Sequence, residues 1–289
     1  MSIKALFDNK KLVVSCEIFP PKPDYPIETI FATLESLSAM KPDFISVTYG
    51  AGGSSCARTV QIASKVKNDF GVETLAHLTC VGADKQATDA VLRQLQENNI
   101  GNVLALRGDL PPEIPCGSGD DYHEYAKDLI AHIKAKYDFC IAAAAYPEGH
   151  PRCASLELDR QHLKQKVEAG ADFLITQLFF DNSSFFSMME QLQRIGVTCP
   201  VAAGIMPVLN AAQIRRITEL CGATIPDRLS QLLVKYGHSP VDMEQAGIEY
   251  ACEQIQGLVM QGVDGIHLYT MNKPAQTKQI LQMTGLLDL

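Results

Sequence analysis

Short β-rich runs alternate with helical patterns along the whole chain, and this alternation restricts the folds open to it. The runs lie at 12–18, 43–48, 73–79, 102–107, 140–145, 172–177, 200–204 and 265–270. Between them, apolar residues three and four apart mark helices, as from Ile27 to Met40 and from Val91 to Asn98. A longer helical insert, roughly 226–261, separates the seventh run from the eighth. The order predicts an α/β protein, a (β/α)8 TIM barrel forming a single domain over 1–289. An open doubly wound sheet shares the alternation. No Ser/Gly/Pro-rich linker, composition shift or short internal repeat signals a second domain.

Composition narrows the class. Apolar residues make up 46% of the chain and charged ones 20%, enough for a large core and against disorder. A net charge of −8 argues against broad nucleic-acid binding but leaves room for a small anion held by local cations. The nine cysteines are scattered without a C-x-x-C pair, which reads as reduced thiols in a cytoplasmic protein. Lys4, Asp8, Lys10 and Lys11 interrupt any signal-peptide core, and no apolar run approaches the ~20 residues of a membrane span. Metal and hydrolase signatures such as H-E-x-x-H and G-x-S-x-G are absent from the sequence.

Side-chain parity points to a site. Strand residues alternate faces, so Val14, Cys16 and Ile18 oppose Val13, Ser15 and Glu17, and Ile45 and Val47 oppose Phe44, Ser46 and Thr48. By the same logic Leu104 and Leu106 would pack against helices while Val103, Ala105 and Arg107 point inward. Leu174 opposes Phe173, Ile175 and Gln177. The inner face of successive runs thus ends in Glu17, Thr48, His77, Arg107, Tyr146 and Gln177, at the carboxyl end where barrel enzymes hold their chemistry.

Each candidate has two readings. Among apolar neighbours, Glu17 would lose solvation and stay protonated as a proton donor, or it is a strand-end carboxylate bonded to a nearby loop. In Leu106-Arg107-Gly108-Asp109-Leu110-Pro111-Pro112, Arg107 could hold an anionic cofactor group and Asp109 a heterocycle, or the two could pair to stiffen the turn. Ala145 through Pro151 leads into a helix carrying Asp159, His162 and Lys166 on one face, beside an apolar stripe of Leu156, Leu163 and Val167. That polar stripe is either a rim at the barrel mouth or a solvated face. Tyr49-Gly50-Ala51-Gly52-Gly53-Ser54-Ser55 lacks the third glycine of a dinucleotide fingerprint and fits a flexible active-site loop better.

Taken together, these segments resemble the methylenetetrahydrofolate reductase family. The matching pieces run in order: Cys16 through Pro21, Val47 through Ala51, His77 through Cys80, Ala105 through Pro112, Ala145 through Pro151, Ile175 through Gln177 with Phe179 through Asp181, Gly204 through Pro207, and His267 through Asn272. The resemblance implies FAD at the barrel mouth, reduced by NADH or NADPH. The folate substrate methylenetetrahydrofolate would then take the hydride to give 5-methyltetrahydrofolate for methionine synthesis. It implies Glu17 and Asp109 as catalytic residues. Thr48, Tyr49, Ala51, His77, Arg107, Gly108, Asp109, Ala126, Tyr146, His150, Asp159, His162 and Lys166 would bind FAD. Gln177, Gln213 and Lys273, with Glu17 and Asp109, would bind substrate. His162, Gln165, Ile217 and Lys273 stand where the bacterial pattern has Asn, Arg, Phe and Arg, departures that bear on ligand affinity. The resemblance also implies a homo-oligomer. With the sequence stopping after the barrel pattern, the S-adenosylmethionine-sensing domain of animal enzymes is expected to be lacking. A flavin barrel acting on another substrate, as in proline dehydrogenases, and a flavin- or folate-binding protein without turnover are the alternatives.

Overall fold

In the computed structural model, which describes residues 1–49, 55–108 and 121–287, the β-rich runs close on themselves. The strands are β1 (Val13–Ile18), β2 (Phe44–Val47), β3 (Glu73–Thr79), β4 (Asn102–Leu106), β5 (Cys140–Ala145), β6 (Phe173–Thr176), β7 (Val201–Ile205) and β8 (Gly265–Tyr269), paired in parallel and in chain order. Each boundary falls within one residue of the sequence reading. The β1–β8 pairing, with Ser15 opposite His267 and Glu17 opposite Tyr269, decides between barrel and open sheet. Helices α2 (Phe31–Ser38), α3 (Ser55–Asn68), α4 (Lys85–Glu97), α5 (Ala126–Lys136), α6 (Leu156–Glu168), α7 (Asn182–Arg194), α8 (Ala211–Cys221) and α11 (Pro274–Thr284) alternate with the strands.

Between β7 and β8 the predicted insert is two helices, α9 (Asp227–Tyr236) and α10 (Pro240–Met260). The break comes where Ser239 caps the next helix through the Asp242 N–H and Pro240 opens it. A Cβ on Gly247 would collide with the Val208 carbonyl, so α10 sits directly on the backbone that leaves β7. No helix among the described residues is long and apolar enough to cross a membrane.

The amino-terminal end of the barrel is closed by α1 (Ile3–Asn9), which the sequence reading did not anticipate. Ile3 is fully buried, its N–H donates to Asn102 Oδ1 at 2.8 Å, and the Phe7 ring lies 5.2 Å from that of Phe173. With Val13, Phe44, Leu75, Leu104, Phe173 and Ile175, this plug makes the lower half of the barrel interior an apolar core. That core corrects the expectation for β4. Leu104 and Leu106 pack inside, and Val103 and Ala105 face the helices. Apolarity cannot mark the outer face of a strand when the inside is apolar too. Arg107 lies one residue beyond β4, in the loop.

A wide repeat also emerges. Asp43, Asp172 and Asp264 stand one residue ahead of β2, β6 and β8. Their carboxylates accept the N–H groups of Val14, Ile141 and Val201 on the preceding strands at 2.8, 2.8 and 2.9 Å. These charge-assisted bonds satisfy donors that would otherwise be left at the strand starts.

If the plug and the insert hold the barrel as this packing implies, Ile3→Ala should lose about 2–5 kcal/mol of stability. Gly247→Ala, which forces two backbones apart, should lose about 1–3 kcal/mol. Urea denaturation of both variants checks this; an unchanged midpoint for Ile3→Ala would mean that α1 only decorates the surface.

Candidate active site

At the carboxyl end, the strand register gathers one polar cluster. Glu17 lies opposite Ser46 on β2, and Ser15 opposite His267 on β8. Ser46 Oγ donates to Glu17 Oε2 at 3.3 Å, and His267 Nε2 lies 3.5 Å from the same oxygen. His267 Nδ1 is 2.7 Å from Ser15 Oγ. His77 Nε2 comes within 3.4 Å of Glu17 Oε2 but is too poorly aligned to bond, leaving that buried nitrogen without a hydrogen-bond partner. His267 is fully buried, while 18% of the Glu17 side chain reaches the mouth.

These neighbours overturn the expected protonation of Glu17. Burial pushes its pKa up, as the sequence suggested, but this is outweighed. The hydrogen bond from His267, the positive charge that His77 and His267 carry when protonated, and the Ser46 hydroxyl together hold the carboxyl below its usual range. His77 is pushed down to about 4, chiefly by burial, with the Glu17 charge opposing and that of His267 adding to the fall.

Across the mouth, β5 and α6 build a second wall. The Tyr146 and His150 rings meet edge to face at 4.7 Å. Burial lowers the His150 pKa, partly offset by Asp159. Asp159 accepts the His150 N–H at 3.1 Å and pairs with Arg160 at 2.7 Å. Arg160, which the sequence reading passed over, also donates to the Tyr146 and Pro147 carbonyls at 2.9 and 2.7 Å and to Gln191 at 2.9 Å. It is the brace of this loop. Leu156, expected in a buried stripe, is instead 47% exposed and lies over Gly149, whose φ of +87° turns the loop back toward α6. Lys166 donates to the Ala144 carbonyl at 2.9 Å, with burial lowering its pKa against the pull of Asp159. His162 is exposed, 3.9 Å from the Cys153 thiol. Gln177 lines a cleft with Tyr146, Cys221 and Gly222, its own Oε1 accepting the Leu178 N–H.

The remaining predicted residues are spread around the rim. The Thr48 N–H donates to Ile18 and its carbonyl accepts from Thr59. The Tyr49 hydroxyl lies against the Cys56 thiol, and burial raises its pKa. Arg107 stacks 5.6 Å over Tyr125, ahead of the buried Ala126 that opens α5, and its buried Nε has no hydrogen-bond partner. Gly108 takes a φ of +85° with a Thr79 carbon 3.1 Å from where a Cβ would stand. Gln213 and Lys273 are exposed at the starts of α8 and α11 and take no part in the Glu17 cluster. Ala51 and Asp109 lie outside the described residues, as do the glycine-rich loop at 50–54 and the segment from 109 to 120. Ser15, Ser46 and His267 were missed as site members, although their shared parity in the first, second and eighth runs could have found them.

The polar groups at this mouth can be matched against an anionic, hydrogen-bonding ligand. Among the described residues, His77 Nε2 and Arg107 Nε are buried without a hydrogen-bond partner, and Lys166 and Arg107 bring two cations to this end of the barrel, donors of the kind that phosphate and heterocycle groups accept from. The methylenetetrahydrofolate reductase family model matches residues 2–285. This chain belongs to that family. The 5,10-methylenetetrahydrofolate reductase of Escherichia coli is 35% identical over 272 residues, covering 94% of this chain and 90% of the relative. Methylenetetrahydrofolate reductase (NADH) 1 of Arabidopsis thaliana is 35% identical over 298 residues, 99% of this chain but 50% of the relative. The chain spans about half the length of its plant and fission-yeast relatives. Among solved structures, a Clostridium thermocellum protein that binds two copies of 5-methyl-5,6,7,8-tetrahydrofolic acid shares the fold, with a TM-score of 0.65 at 12% identity over 98% of both chains.

Two outcomes follow for the family's barrel as built here. Arg160→Met should lose about 3–5 kcal/mol of stability, because it strands the buried Asp159 charge and two carbonyls; the urea midpoint reads this. His77 stays unprotonated in the fold down to about pH 4, whereas the unfolded chain protonates it near 6.5. The unfolded state therefore binds more protons across that window, so stability is full above 6.5 and falls by up to about 3 kcal/mol as pH drops to 4. His77→Gln should flatten that slope in denaturation curves taken between those pH values.

Proposed function

We propose that the chain is a flavin-dependent reductase that converts 5,10-methylenetetrahydrofolate to 5-methyltetrahydrofolate with NADH or NADPH, feeding methyl groups to methionine synthesis. The observation that carries this reading is the Glu17 carboxyl, mostly buried at the mouth of a barrel of this family, with Ser46 and His267 in bonding reach. Bound FAD would take the hydride from the nicotinamide and deliver it to the substrate. Tyr146, His150, Arg107, Gly108, His77 and Lys166 would hold the cofactor, with Thr48, Tyr49, Ala51, Ala126, Asp159 and His162 around them. Gln177 and Gln213 would serve folate or nicotinamide, Lys273 would bind substrate, and Asp109 would help bind folate and stabilise cationic character.

Glu17 acts in this scheme as the general acid. It gives its proton to the ring nitrogen of the substrate as the C–N bond of the five-membered ring breaks, and the bonding pair stays on that nitrogen. In the structure the carboxyl is held toward its anionic form. A flat ligand closing the mouth removes the water that still reaches Glu17. The burial effect then grows and favours the protonated carboxyl that the acid role requires. Asp159 contributes indirectly, since its carboxylate is committed to Arg160 and the His150 N–H.

Glu17→Gln should keep bleaching of the flavin by NADH while reduction of methylenetetrahydrofolate by the reduced enzyme falls by about two to four orders of magnitude. Anaerobic stopped-flow measurement of the two half-reactions separates the effects. Equal loss in both would remove the acid role, and a protein that takes up no FAD would remove the flavin. Activity on proline in place of folate would point to the other barrel chemistry.

A further inference from the structure

A second group of buried polar side chains lies away from Glu17, between α4 and α5. His132 Nε2 is 2.6 Å from Asp89 Oδ1, and Lys136 donates to Asp89 Oδ2 at 3.0 Å. Burial pushes the Asp89 carboxyl up, but these bonds outweigh it and bring it down to about 2. His123 packs on this pair from the segment ahead of α5. It is 6% exposed, and its ring meets that of His132 edge to face at 4.7 Å. Among the described residues, its buried Nε2 has no hydrogen-bond partner.

The segment that carries His123 leads to the mouth. Residues 121–125 are tied at one end to the start of α4, where Tyr122 bridges Asp84 and the Lys85 N–H donates to the Asp121 carbonyl at 2.8 Å. At the other end the Tyr125 N–H donates to Asp128 at 2.9 Å, and the Arg107 guanidinium stacks 5.6 Å from the centre of the Tyr125 ring. Of these five residues only His123 is buried, so its ring is the side chain that pins the strap to the barrel.

A neutral imidazole fits this place and an imidazolium does not. The neutral ring can leave Nε2 as a bare lone pair, whereas the protonated ring has a donor on each nitrogen and needs an acceptor for both. On α4, both oxygens of Asp89 are already taken, and Lys85 brings positive charge. On α5, Asp128 is turned to the Tyr125 N–H, and His132 brings positive charge when protonated. Burial lowers the His123 pKa, the charges of His132 and Lys85 lower it further, and Asp128 and Asp89 pull against them.

We propose that His123 is an acid-released pin: its protonation frees the 121–125 strap from the groove between α4 and α5 and withdraws Tyr125 from Arg107, so that the mouth loses its hold on an anionic ligand as pH falls. The link to the ligand rests on the flavin reading given above; the release of the strap does not. His123 has a lowered pKa in the docked strap and an ordinary one near 6.5 in the released strap, so the released form binds more protons. Docking is therefore complete above about pH 6.5 and weakens below it.

Hydrogen exchange of the backbone amides at 121–126, corrected for the intrinsic pH dependence of exchange, reads the opening of the strap. Opening should rise by up to about tenfold between pH 7.5 and 5.5, the limit for one proton taken up below about 6.5. His123→Phe keeps a flat ring against His132 and takes no proton. Its strap should open equally at both pH values, while the core strands keep their wild-type dependence. A wild-type strap indifferent to pH, or a His123→Phe strap as sensitive as the wild type, would overturn the proposal. If His123→Phe does not fold, His123→Gln carries the test with the same two outcomes. Release of FAD from the holoenzyme, followed by the gain in flavin fluorescence, tests the link to the mouth. It should quicken with the opening at pH 5.5 in the wild type and stay slow in His123→Phe. A strap that opens while FAD release stays level would break that link and overturn the second half of the proposal. A protein that holds no FAD at all would instead remove the flavin reading and leave the exchange result standing.

Discussion

The pairing of the first strand with the last is the constraint on which the site depends. Val13 through Glu17 take their partners from Gly265 through Tyr269, residues some 250 positions away in the chain. Without that seam, Ser15 has no histidine, Glu17 loses the imidazole of His267, and Thr270 has no carbonyl to hold. A parallel closed sheet fixes such a register tightly, because a slip by one residue would turn Glu17 toward the helices and Cys16 or Ile18 toward the mouth. The same closure confines the polar cluster to the carboxyl end, since α1 and a layer of Val13, Phe44, Leu75, Leu104 and Phe173 fill the opposite end.

The two halves of the barrel interior therefore do different work. The lower half is dry and close-packed, and it holds the strands at the spacing that brings Glu17, Ser46, His77 and His267 together. Among the described residues, the upper half keeps two buried polar atoms without a hydrogen-bond partner, His77 Nε2 and Arg107 Nε. Leaving a buried polar atom unsatisfied is costly unless a ligand completes it. Arg160 steadies the facing wall from behind, through the carbonyls of Tyr146 and Pro147 and the carboxylate of Asp159.

Much of this was legible in the residues. The alternation gave the barrel, and strand parity gave Glu17, Thr48, His77, Tyr146 and Gln177 as inward ends, because a strand has a period of two wherever one face differs chemically from the other. Where the two faces do not differ, the rule loses its force. On β4, Leu104 and Val103 are equally apolar and the assignment came out reversed; Asn102, bonded inside to Ile3, was the only local clue. On α6, the periodicity marked Asp159 and Lys166 correctly as neighbours but set Leu156 in the core and missed Arg160, whose partners are carbonyls of a preceding loop.

The sequence by itself determined the element order, the strand limits and the family, since these follow from local periodicity and from motifs short enough to read in place. Only the tertiary structure decided the protonation of Glu17. From the sequence, the desolvation of a carboxyl among apolar neighbours is visible and argues for a raised pKa. The opposing effect comes from His267, Ser46 and His77, which lie on three other strands and become neighbours only when the sheet closes. A pKa is a sum over everything within a few ångströms, and distance in space is what a chain read end to end does not contain.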